Sequence, residues 1–134
     1  MHEHETDELG RQICTTRGEA PSVVREQQHA EGNIGQHGSY VVLCKEERKK
    51  GLTRPYRDSY RHAGCLEQLV DDAGKDTHQV RLGGCGAVTT MSRALGETYA
   101  RDPSFYGATF CIRCNTHLPV SEFVWTVDGQ QVGT

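Results

Sequence analysis

The chain has 134 residues, of which 35% are hydrophobic and 25% charged, with a formal net charge of −3. That is the length of one domain with a thin core, which a metal crosslink would strengthen. The acidic balance argues against a surface given over wholly to nucleic acid, and no run of 18 apolar residues is present to span a membrane.

The opening stretch Met1 to Gly10 is polar and acidic, unlike a secretory signal, so the expected setting is a reducing cytosol. There the six cysteines at 14, 44, 65, 85, 111 and 114 are better explained by metal binding than by three disulfides. Residues 1–39 carry 7 acidic and 3 basic side chains with no apolar period, and are expected to form a mobile polar arm. The folded domain is placed at 40–134, starting with an apolar strand over Tyr40 to Cys44. A basic segment follows, in which Pro55 discourages a helix. Leu66 to Ala73 has helix spacing with Gly74 as its stop, and 74–84 reads as a loop.

Cys85 to Met91 suits a strand. Ser92 is the N-cap of a helix through Ala100 or Arg101, which Asp102-Pro103 ends, with Leu95 and Tyr99 on its buried face. Ala108 to Cys111 is a strand running into a turn. Glu122 to Val127 is another, with Asp128-Gly129 as a two-residue hairpin turn and Gln130 to Val132 returning. The fold class expected is α+β: a short antiparallel sheet, a C-terminal hairpin and one main helix, held by zinc.

The sharpest motif is Cys111-Ile112-Arg113-Cys114-Asn115. Two cysteines at this spacing aim both thiolates at one tetrahedral ion, and Asn accepts the positive φ that the turn after them needs. A closed zinc site wants four N or S ligands. Cys85 lies among Gly83, Gly84 and Gly86, where the backbone can wrap closely, and Cys65 belongs to the step His62-Ala63-Gly64-Cys65. The expected ligands are Cys65, Cys85, Cys111 and Cys114, with His62 the alternative. Four protein ligands leave no open position, so the zinc would be structural. Cys14 and Cys44 are expected to be small buried hydrophobes, and His117 to stand beside the knuckle without binding.

Catalytic readings fit less well. His29-Ala30-Glu31 followed by C-x₂-C has the outline of a zinc deaminase, but Phe110 replaces the proline before the cysteine step, and glycines at 32, 35 and 38 break the helix required. A redox C-x₂-C needs its first cysteine at a helix start, and Asn115 to Pro119 is none. A metal-dependent hydrolase would need an open coordination position. A second binding feature is Arg54, Tyr56, Arg57, Tyr60 and Arg61. If extended, Tyr56, Tyr60 and His62 share one face and the arginines the other, which could hold phosphates and stack on bases, as a nucleic-acid-binding zinc module would.

The words Cys85-Gly86, Val88-Thr89-Thr90-Met91, Glu97 to Pro103, Phe105 to Cys114, His117 to Val120 and Glu122 to Trp125 carry a resemblance. With Arg54-Pro55 and Tyr60-Arg61-His62, they resemble a group of small zinc-knuckle proteins encoded by bacteriophages and prophages. The likeness covers residues 40–134 and leaves out the N-terminal stretch. It implies a viral gene, a bacterial host cytoplasm, and Cys85, Cys111 and Cys114 as ligands, but brings no activity with it. The function expected is therefore a non-enzymatic zinc-binding interaction protein with a protein partner of host or virus, in counter-defence or host takeover. Nucleic acid is the alternative partner, and no membrane is involved.

Overall fold

The computed structural model describes residues 5–70, 74 and 76–134. Its secondary structure mixes short helices with antiparallel strands, the α+β class expected. Strands β1 (Glu5–Thr6), β2 (Gln12–Thr15) and β3 (Val41–Leu43) form one sheet in that order, with helix α1 (Pro21–Glu31) between the last two in sequence. The expected mobile arm is thus folded from residue 5 onward. Ile13 and Val24 are fully buried beside Val41 and Leu43, and Phe105 packs against them. Two signals mark α1 in the sequence: Pro21 at its first turn, where a missing N–H costs nothing, and Gly32 past its end at φ 75°.

A second tie is covalent. Cys14 and Cys44, expected to be free, form a disulfide with a Cα–Cα distance of 5.2 Å. Pairing of Cys14 with Val42 across β2 and β3 brings the two sulfurs within reach. A third tie is ionic: Arg11 bonds Asp7 and, at 2.9 Å, Asp102 at the end of the main helix.

Helix α2 (Lys45–Arg48) is a single turn. Strand β4 (Ser59–His62) then sits at the centre of a second sheet, between β10 (Phe123–Trp125) and β7 (Val88–Thr90). Strands β5 (Gly64–Val70) and β6 (Asp76–Gly83) form a separate hairpin. Here the expected helix over Leu66 to Ala73 gives way to a strand as far as Val70, and the expected loop at 74–84 is largely β6; residues 71–73 lie outside the described residues. Spacing alone could not separate a short helix from a strand, and nothing covers Leu66, which stays 47% exposed. The hairpin's base is set by two glycines: a Cβ on Gly64 would come within 2.3 Å of the Leu82 carbonyl, and one on Gly84 within 2.3 Å of Ala63.

Helix α3 (Arg93–Arg101) is the main helix, capped as expected by the Ser92 side chain accepting from the Leu95 N–H. Tyr99 is buried and Leu95 packs against the same core. Strands β8 (Ala108–Cys111) and β9 (Thr116–Pro119) make the hairpin that carries the cysteine step. The C-terminal hairpin is present but its loop has four residues. Trp125 N–H donates to the Gln130 carbonyl and Val132 N–H to that of Phe123. The Asp128 carboxylate accepts from Arg57 and from the Gln130 N–H, which fixes the longer loop.

The larger core gathers Tyr60, Met91, Tyr99, Cys111, Phe123, Trp125 and Val132. Tyr60 and Tyr99 meet Trp125 edge to face, a favoured aromatic geometry. The two cores join through Tyr106, which stacks near Tyr99 and donates its hydroxyl to the Val41 carbonyl at 2.6 Å. Among the described residues no helix is long and apolar enough to cross a membrane.

Candidate metal centre

Four loops and strand ends place His62, Cys85, Cys111 and Cys114 together, with their ligand atoms all within 4.8 Å of one another. His62 comes from the end of β4. Alternation along the strand puts Tyr60 and His62 inward and Arg61 outward. Cys85 follows the β6 strand, where Gly84 lies against the backbone at His62 and Ala63. The Gly86 N–H donates to the His62 carbonyl and the His62 N–H to that of Ala87, so the histidine and this cysteine share one tight backbone crossing. Cys111 ends β8, and Asn115 turns the chain back at φ 53°, the one positive-φ residue other than glycine among those described. Its N–H donates to the Cys111 carbonyl at 2.8 Å.

The spacings suit a tetrahedral ion. Sγ of Cys85 lies 3.4 Å from Sγ of Cys111 and 3.4 Å from His62 Nδ1, and Cys114 Sγ is 3.6 Å from that same Nδ1. A tetrahedron with ordinary zinc bond lengths has edges of about 3.8 Å between sulfurs and about 3.6 Å between sulfur and nitrogen. The backbone also faces the sulfurs: Cys114 N–H points at Cys111 Sγ and Ala87 N–H at Cys85 Sγ, each at 3.5 Å. Such donors favour thiolate over thiol.

His62 is oriented from behind by Glu122, whose Oε1 lies 2.9 Å from Nε2. A proton on Nε2 leaves the Nδ1 lone pair facing the thiols, and the Cys85 N–H directed at Nδ1 from 3.2 Å fits that tautomer. Burial works against a charged imidazole, but Glu122 and Cys85 outweigh it and raise the His62 pKa. Among the thiols, burial opposes ionisation of Cys85, yet the Ala87 N–H, His62 and the neighbouring cysteines bring its pKa down to about 6. Burial and the sulfurs of Cys111 and Cys85 push Cys114 up to about 11. One sulfur therefore holds negative charge first and the last resists it, a repulsion that a dication among them would remove. The group could hold a metal ion, and all four of its donors are protein atoms.

Cys65, expected as a ligand, stands outside the group. It lies on β5, exposed, paired with Leu82. The reversal at Gly64, φ 94°, turns the chain away just after His62, so the histidine enters and the cysteine leaves. His117 is not a ligand either: it stacks on His37 at 4.2 Å and bonds Tyr40 and the Asn33 carbonyl. His29 and Glu31 lie in the last turn of α1, outside the group.

The basic–aromatic run does not form one surface. Arg57 is 5% exposed, bonded to Asp128 and Gln130 with its guanidinium over the Trp125 ring at 4.9 Å. Tyr60 is buried and donates to the Phe110 carbonyl at 2.5 Å. Tyr56 packs beside Gly96 and beneath Arg93. Arg54 and Arg61 are exposed and make no ion pair among the described residues. Two features escaped sequence reasoning. Glu122 lies 60 positions from His62, with no motif to link them. The Cys14–Cys44 pair likewise lacks any spacing signature. No family model, curated protein or solved structure matches this chain.

Proposed function

We propose that the protein is a non-enzymatic interaction module in which a structural zinc ion, held by His62, Cys85, Cys111 and Cys114, fixes the fold that presents its binding surfaces. The observation that carries this is the closed donor set: three sulfurs and one imidazole nitrogen within 4.8 Å of one another, with Glu122 behind the histidine. Zinc prefers such a set, and four protein donors leave it no position for a substrate or an activated water. The metal would join the end of β4, the segment after β6 and the β8–β9 hairpin, with its ligands spread over residues 62 to 114.

The resemblance of residues 40–134 to phage-encoded zinc-knuckle proteins supports a viral setting, with a host or viral protein as partner. A nucleic-acid role through the 54–61 run has less support, because Arg57 and Tyr60 are committed to the interior. The test is metal analysis of the purified chain and of Cys111→Ser, Cys85→Ser and Cys65→Ser variants. We expect one zinc per chain, lost together with thermal stability in the first two and retained in the third. A metal-free protein with unchanged melting, or zinc loss in Cys65→Ser alone, would overturn the assignment.

A further inference from the structure

Hydrogen bonds and a ring stack fasten the segment after α1 to the hairpin that carries the cysteine step. The Asn33 carbonyl accepts from the His117 N–H, from His117 Nδ1 and from the Thr116 hydroxyl, at 2.8 to 3.1 Å. The Gly35 N–H donates to the Asn115 carbonyl at 2.7 Å, and Ile34 bridges to Thr116. Ile34 itself is 77% exposed, so this seam rests on polar bonds rather than on apolar burial. Seams of that kind open locally at low cost.

The same bonds fix the protonation of the rings. A carbonyl can only accept, so His117 carries its proton on Nδ1, and Nε2 accepts from the Tyr40 hydroxyl at 2.9 Å. Tyr40 in turn accepts from the His37 N–H. His37 donates from Nε2 to the Gly32 carbonyl, which leaves its Nδ1 a bare lone pair, buried and without a hydrogen-bond partner among the described residues. The rings of His37 and His117 stack with centroids 4.2 Å apart. Every bond of His117 is thus one that the neutral imidazole makes. A second proton would go on Nε2, deprive the Tyr40 hydroxyl of its acceptor and lay a charge against the His37 ring. The groups around the ring do not compensate. Arg25 and His29 of α1, Tyr40, His37 and Tyr106 share its groove, and β8 adds the Phe110 ring. Glu31, at the end of α1, lies by His37 and Tyr40 but bonds neither imidazole.

We propose that His37, Tyr40 and His117 form a pH-sensitive clasp, closed while His117 is neutral, which releases residues 33–37 from the β8–β9 hairpin when His117 takes up a proton in mildly acidic solution. Burial holds the His117 pKa below its ordinary value; the Asn33 carbonyl opposes this only in part, and His37 adds to it. The folded value therefore lies below the unfolded one of about 6.5. The clasp has its full strength above that pH, weakens as the pH falls from there to the folded value, and weakens no further below it. This reading is independent of the zinc assignment, since His117 is not a ligand.

The test follows amide hydrogen exchange of the full chain by NMR between pH 5 and 8, corrected for intrinsic exchange, together with titration of the His117 ring. At pH 7 the Gly35 and His117 amides should exchange at least about tenfold faster than those of the central strand β4, the mark of local rather than global opening. Their protection should stay level above pH 7 and fall about threefold between pH 6.5 and 5.5, within the tenfold per unit that one proton allows. The His117 ring should titrate below about 6.5. His117→Gln, which takes up no proton, should start with weaker protection at Gly35 and show no such fall, although its metal ligands are intact. Equal protection of the Gly35 and β4 amides, a level profile in the parent, or a His117 midpoint at or above about 6.5 would each overturn the proposal. So would a fall that persists in His117→Gln, which would place the titration elsewhere.

Discussion

Replacing Glu122 tests the geometry behind the metal centre without touching a ligand. Its carboxylate is 2.9 Å from His62 Nε2 and largely shielded, with a side-chain exposure of 15%. The contact selects the tautomer that leaves Nδ1 free and makes the imidazole a better donor. Loss of such an orienting group typically lowers metal affinity about 10- to 100-fold, or about 1.4 to 2.7 kcal/mol. Gln keeps an acceptor at the same place but loses the charge, so Glu122→Gln should fall near the tenfold end. Ala leaves the imidazole N–H without a partner, and Glu122→Ala should approach a hundredfold. The backbone role of Glu122, accepting from the Ala63 N–H, is retained in both. Competition with a chromophoric zinc chelator at neutral pH measures the affinities, with circular dichroism in excess zinc as a check on folding. Zinc affinity of Glu122→Ala within twofold of the parent would refute the orienting role and the tautomer argument with it.

Other perturbations address the fold. Reducing the Cys14–Cys44 disulfide, or changing both residues to Ser, opens a loop spanning 30 positions and should cost about 3.7 kcal/mol of unfolding free energy on the chain-entropy estimate, read by urea denaturation. Gly84→Ala pushes a methyl into the Ala63 backbone beside His62 and should destabilise by about 1–3 kcal/mol while also weakening zinc binding; a change in one without the other would separate the hairpin from the centre. Burial tends to raise the Asp102 pKa, but Arg11 and Ser104 more than offset it and hold it below the ordinary carboxylate range. The stability this adds is present above the unfolded value near pH 4 and is lost as pH falls through the depressed folded value. Asp102→Asn should therefore cost about 1 kcal/mol at neutral pH and progressively less as the pH falls below 4, as followed by thermal melting across that range.

Local chemistry in the sequence located half of the centre and much of the second core. The Cys111–Cys114 turn, its Asn115, the Ser92 cap and the strand Ala108–Cys111 are set by residues within a few positions of one another, and each stands where the residue types place it. The choice between His62 and Cys65 turned on a reversal at Gly64, which spacing along the chain does not express. The strand alternation that puts Tyr60 and His62 on one face was the available signal, and it favours the histidine. The N-terminal stretch misled for a different reason. Its burial rests on few side chains, chiefly Ile13, Pro21 and Val24, and on ties to Cys44 and Asp102 that no local pattern reveals.

The disulfide in the first sheet and the thiols of the metal centre pose a sorting problem during folding. Cys14 and Cys44 must find each other while four further thiols, Cys65, Cys85, Cys111 and Cys114, are open to exchange. A zinc ion captured early would withdraw Cys85, Cys111 and Cys114 from that competition, leaving exposed Cys65 as the single rival. The metal would then act as a protecting group as well as a clip. The order in which the chain meets zinc and oxidant would decide how much of it reaches the correct covalent form.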